Sequence, residues 1–167
     1  MTVTVRVPRY ATNREIERIV REKEPWIRKQ LEKIAIQKEM ATEQQPKKLT
    51  EKDIRELADR ALVYIPERVK YFAPQVGVSY GRITIRNQKT RWGSCSGKGN
   101  LNFNCLLMLT PPEVIDYVVV HELCHRKEMN HSKAFWDQVE RILPDYKMSE
   151  AYLKKEGSDI MARAGYQ

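Results

Sequence analysis

Cysteine is too scarce in this chain to organise it. Of 167 residues only Cys95, Cys105 and Cys124 are cysteines, an odd number without a CxxC pair. That excludes a disulfide-stapled scaffold and makes a reduced compartment, the cytoplasm, the expected setting. Long hydrophobic runs are missing too. No stretch approaches the roughly 20 apolar residues of a membrane-spanning helix, and Met1-Thr2-Val3-Thr4 does not open a signal peptide. There is no internal repeat and no low-complexity tract. Three of the seven glycines gather in the span 91–100, but the P-loop pattern is absent, so turn geometry is the expected reason for them. Histidine is scarce as well: the chain has three, and all fall between positions 121 and 131.

That window reads His121-Glu122-Leu123-Cys124-His125, with His131 following. Residues four apart on a helix share one face about one turn apart, so His121 and His125 can grip one ion together. Glu122 stands roughly 100° round the helix from His121, where it can reach a water but not compete as a ligand. His-Glu-x-x-His on a helix is the zincin signature, with the imidazoles as zinc ligands and the carboxylate as general base.

His131 needs the chain to turn after His125, because on a continued helix it would point away from the other two. Asn130 tolerates the left-handed conformation that ends helices, and Ser132 can cap a helix beginning near Lys133. Five residues separate His125 from His131, the metzincin spacing, but Glu128 stands where that pattern carries glycine. The spacing gives the third ligand and not the subclass.

The formal charge of +8 is uneven. Residues 1–90 hold 20 Lys/Arg against 12 Asp/Glu, while residues 91–167 hold ten of each. A basic surplus outside the histidine half attracts nucleic acid or another polyanion. Interleaved acids give the other reading, a solvated helical face.

Along the chain, Val3, Val5 and Val7 alternate as a short strand ended by Pro8. Thr12-Asn13-Arg14-Glu15 opens a helix with the apolar stripe Ile16, Ile19, Val20, Trp26, Ile27, Leu31 and Ile34, which Pro25 is expected to break or kink. The polar composition of 37–48 reads as a linker. Thr50 to Asp53 starts a second helix, bent at Pro66 and ended before Pro74. Val76–Val78 and Tyr80–Arg86 read as strand, and 91–100 as a hairpin tip. The alternation of Leu101, Phe103, Cys105, Leu107 and Leu109 predicts one strand with a buried face. Thr110-Pro111-Pro112-Glu113 opens the histidine-bearing helix with Thr110 as cap, and its nearly all-round apolar surface makes it central. A helix follows Ser132, and a last one over 148–155 ends at Gly157.

With these pieces placed, the sequence resembles the YgjP-like family of predicted metal-dependent hydrolases, relatives of the SprT-like zincin metallopeptidases. The resemblance is carried by Arg91-Trp92-Gly93-Ser94-Cys95-Ser96, Leu101-Asn102-Phe103-Asn104, Val118 to His125, and Asn130-His131-Ser132 with Phe135-Trp136. Glu15 to Leu31 also looks like the family, whose members usually carry another strand before Thr2. The resemblance implies an α+β, zincin-like domain: a small antiparallel or mixed sheet packed on a central HExxH helix, with a helical N-terminal segment. The chain is expected to divide into an N-terminal strand–helix segment over 1–45 and a zincin-like hydrolase domain over 46–167. The resemblance puts His121, His125 and His131 on Zn²⁺, with Glu122 as base.

Peptide hydrolysis is the leading reading. The Leu101–Asn104 strand is the candidate edge for an extended substrate, and Arg91, Asn102 and Asn104 are the candidate substrate or transition-state contacts. The chain has no fourth histidine for the oxyanion. A metal-dependent nucleotide pyrophosphatase is the alternative, although such sites favour hard oxygen ligands. A nucleic-acid-associated protease anchored by residues 1–90 is a third. Cys95 and Cys124 read as turn or core residues ahead of ligands.

Overall fold

A computed structural model describes residues 12–43 and 48–165, so the strand expected over Val3–Val7 lies outside the described residues. The chain divides into two compact units, Met1–Gln45 and Pro46–Gln167. In the first, helix α1 spans Asn13–Glu43 and runs unbroken through Pro25. Its last part fills much of the expected linker, because Lys, Glu, Met and Ala there are good helix formers. Ile19, Val20 and Trp26 of the expected stripe are exposed, Trp26 by 62%.

In the second unit, α2 (Glu51–Val76) opens with a complete capping box: the Thr50 side chain accepts from Asp53 N, and the Asp53 carboxylate accepts from Thr50 N. Pro74 lies inside this helix rather than beyond it. The end comes at Gly77, whose φ of 77° is the left-handed cap, so Val76–Val78 is helix end and not strand. Leu57, Ala61, Ile65, Val69 and Phe72, one stripe at three- and four-residue spacing, bury that side of α2 in the core.

Three short strands follow: β1 (Ile83–Arg86), β2 (Gly93–Cys95) and β3 (Leu101–Asn104). Their order is β1-β3-β2, with β1 parallel to β3 and β2 antiparallel to it, Gly93 opposite Phe103 and Cys95 opposite Leu101. The β2–β3 hairpin turns at Gly99, which has φ of 83°. Two expectations are corrected here. β3 is the central strand, so its backbone is engaged on both sides and it is not the edge for a substrate. It also stops at Asn104, whose Oδ1 accepts from Leu106 N at 3.1 Å and starts a 3₁₀ turn over Cys105–Leu109. Side-chain capping wins over apolar alternation at that point.

Thr110 donates its hydroxyl to Leu107 O and closes the 3₁₀ turn instead of capping the next helix. Helix α3 (Pro112–Cys124) begins after Pro111 with no side-chain cap. Nine of its residues are buried, and it packs against α2, α4, α5 and β2. Arg68 of α2 grips Asp116 of α3 with two bonds of 2.6 and 2.7 Å. Helix α4 (Lys133–Ile142) starts at Ser132, whose side chain accepts from Phe135 N at 3.3 Å. Helix α5 (Tyr146–Arg163) runs through Gly157, which is buried against Trp92 rather than ending the helix. Among the described residues, no helix is long and apolar enough to cross a membrane.

Candidate metal centre

α3 presents its histidines where the core ends. His121 lies in the last helical turn and His125 is the C-cap in right-handed conformation. Tight bonds from Arg126 N to Leu123 O and from Lys127 and Glu128 N to Cys124 O stop the helix. The chain then turns back to His131 without a left-handed Asn130, since no non-glycine residue among those described has positive φ. The Ser132 cap starts α4 immediately after, so His131 is held between two helix ends.

The three rings converge on one atom type. His121 Nε2 lies 3.2 Å from His125 Nε2 and 3.0 Å from His131 Nε2. His125 Nδ1 lies 3.0 Å from Glu128 O, an acceptor, which places the proton on Nδ1 and leaves Nε2 a free lone pair. Burial, then the neighbouring His125 and His131, lowers His121 to about 3. Burial also lowers His125, against the Glu128 carbonyl. Converging imidazoles are the donor set of a borderline-soft divalent ion, and among the described residues these three are close enough together to hold one. The residues therefore fit a metal.

Aromatic packing orients the rings. His121 Nδ1 is buried without a hydrogen-bond partner among the described residues. Its ring instead meets Tyr117 at 5.8 Å, Phe135 at 4.9 Å and Trp136 at 5.9 Å between centroids. His131 stacks on Trp136, which stacks on Tyr146. Phe135 and Trp136 had no place in the site as read from the sequence; their position three and four residues beyond the Ser132 cap, in the first turn of the helix that follows His131, is the signal that points to them.

Glu122 is buried, 5% exposed. Burial pushes its carboxyl up to about 8, opposed by the charge of Arg91. Its side chain lies against Gly93 of β2, a neighbour that the sequence offered only as a turn glycine. Arg91 is exposed at the entry to β2. Asn102 donates to Ser94 Oγ at 3.2 Å across the hairpin. Asn104 is fully buried, with Nδ2 donating to Gln88 O and Arg91 O and Oδ1 accepting from Leu106 N, so its amide holds the preceding loop and leaves nothing over for a substrate. Cys95 is half-buried in β2, and its thiol is raised by burial and then by Glu122. Cys124 faces the core, fully buried, with its thiol pushed up to about 11 chiefly by burial.

The family described as "YgjP-like, metallopeptidase domain" matches residues 1–55 and 36–156. Two crystal structures are similar to this chain. The metallopeptidase zymogen abylysin of Pyrococcus abyssi is 23% identical over 55% of this chain and 93% of its own, with a TM-score of 0.50, a likeness of fold. The metallopeptidase zymogen jannalysin of Methanocaldococcus jannaschii is 20% identical over 55% of this chain and 95% of its own, with a TM-score of 0.49. No curated protein matches the chain.

Proposed function

Because the chain belongs to the YgjP-like family, in its metallopeptidase domain, we propose that it is a zinc peptidase in which His121, His125 and His131 hold the ion and Glu122 is the general base. The observation that carries this reading is the convergence of His125 Nε2 and His131 Nε2 on His121 Nε2, at 3.2 and 3.0 Å, with the buried Glu122 next along the helix. His121, His125 and His131 would hold the zinc, which when bound would supply Lewis acidity for activating a water.

The chain's own residues do the rest. Glu122 takes the proton of the attacking water on a carboxylate oxygen and returns it to the leaving amine. Its burial excludes bulk water, which keeps that proton in the site. Arg91, whose charge acts on Glu122, is the candidate cation for the developing oxyanion. An extended peptide fits the outer edge of β2, an edge strand of the sheet that also touches Glu122, with main-chain hydrogen bonds fixing its register.

The zinc-loaded protein is expected to cleave casein, and Glu122→Gln to lose about 10²–10⁴-fold of that activity, the usual share of general-base catalysis, with its zinc retained. Gln keeps the shape and a hydrogen-bonding end but accepts no proton at neutral pH. Near-normal turnover by zinc-replete Glu122→Gln overturns the mechanism.

A further inference from the structure

α3 and β2 meet at a residue with no side chain. A methyl group on Gly93 would lie 2.7 Å from Glu122 Oε1, 2.8 Å from its Cγ and 3.0 Å from its Cδ. Atoms that close are inside van der Waals contact. One of the three, Cγ, belongs to the stem of the side chain, so moving the carboxylate alone does not relieve the clash and Glu122 must change rotamer. Gly93 is not among the positive-φ glycines, so the backbone there suits any residue. The need for glycine is a need for space.

Neither wall can retreat. Asn104 N donates to Trp92 O at 2.9 Å and Asn104 Nδ2 to Arg91 O at 3.0 Å. The Trp92 indole rests on α5, where a Cβ on Gly157 would lie 3.3 Å from Cζ2. Opposite, Glu122 projects from a helix whose next two residues, Leu123 and Cys124, are fully buried. Two fixed elements thus stand one carboxylate apart. Gly97, in the same hairpin, has no atom within 4 Å of where its Cβ would be, so closeness at Gly93 is not a general property of this turn.

We propose that Gly93 is a positioning residue for Glu122: its bare backbone is the wall that fixes the rotamer of the general base. The proposal rests on the reading of Glu122 given above. It makes the β2 glycine part of the proton-transfer geometry.

The test uses the full-length, zinc-loaded protein and a fluorogenic peptide built on a casein cleavage site. Gly93→Ala should lower kcat at least about tenfold, since a base misplaced by about 1 Å costs up to 10²-fold. KM and bound zinc should stay at wild-type values, and Gly97→Ala should behave as wild type. A second readout is thermal. Gly93→Ala should lower the Tm by at least about 3 °C, as overpacking does, and the same change made in a Glu122→Ala background should not, because the space is vacated. If Gly93→Ala alone does not fold, its recovery in that background carries the same information. Turnover of Gly93→Ala equal to that of Gly97→Ala, or a thermal or folding loss undiminished by Glu122→Ala, overturns the proposal. A fully active Glu122→Gln overturns the general-base reading instead, and the thermal comparison still reports on the contact.

Discussion

The ring of Phe135 lies 4.6 Å from that of His125, centroid to centroid, tilted by 31°. The same phenyl stands 4.9 Å from His121 and 4.9 Å from His131, so one fully buried side chain backs all three imidazoles. With His121 Nδ1 lacking a hydrogen-bond partner among the described residues, packing takes over the orienting task that carboxylates perform at many metal sites.

Phe135→Leu should therefore weaken zinc binding by about 10- to 100-fold, the range seen when groups that orient ligands are changed. Competition with a chromophoric chelator measures it. Unchanged affinity would assign ring orientation to the helix backbone alone.

His131 is the most exposed of the three and stands outside the helix that carries the other two. His131→Ala should strip most of the zinc while leaving far-ultraviolet circular dichroism unchanged, since the residue is exposed and lies between helices rather than within one. Metal analysis after dialysis decides the point, and full zinc retention in this variant would remove His131 from the ligand set.

The Arg68–Asp116 pair ties α2 to α3 through two short parallel bonds between side chains 28% and 18% exposed. A fork of this kind, largely shielded from water, is worth more than a surface pair. A double-mutant cycle with Arg68→Ala and Asp116→Ala should give a coupling energy of about 1–3 kcal/mol by denaturant unfolding. A coupling near zero would mean that solvent screens the pair.

Gly77 closes α2 at φ 77°, with Lys127 Nζ at 3.6 Å from a would-be Cβ, an ordinary contact. The cost of Gly77→Ala is thus conformational alone, about 1 kcal/mol. For a chain of this size that is a Tm lower by about 2–4 °C in a thermal scan. An unchanged Tm would mean that the helix end readjusts without penalty.

The convergence of the three histidines was legible because their pattern is local: a four-residue step on an apolar helix, a forced turn, and a serine cap. Fold class was legible too, through the same helix and the resemblance of the segments around it. What escaped depended on partners distant in sequence or on side chains competing with the backbone. Asn104 looked like one polar step of a strand, yet its amide ends that strand by taking Leu106 N and binding the loop at Gln88 and Arg91. Gly157 looked like a stop until Trp92 arrived against it from across the fold. Leu101–Asn104 could not be known as the central strand, because pairing order is a property of the whole sheet. Pro74 and Pro25 sit within helices because long flanking segments, in α2 also well buried, outweigh one lost hydrogen bond each.

All three nitrogen donors come from the stretch 121–131, bounded by the end of α3 and the start of α4. Drawing them together closes only a short loop, and the entropic cost of closure grows with loop length. With these three as the ligands proposed above, the unfolded chain should keep a share of the folded protein's ion affinity. Binding to both states diminishes the stabilisation an ion confers, so removing the ion should cost less stability than the affinity would imply.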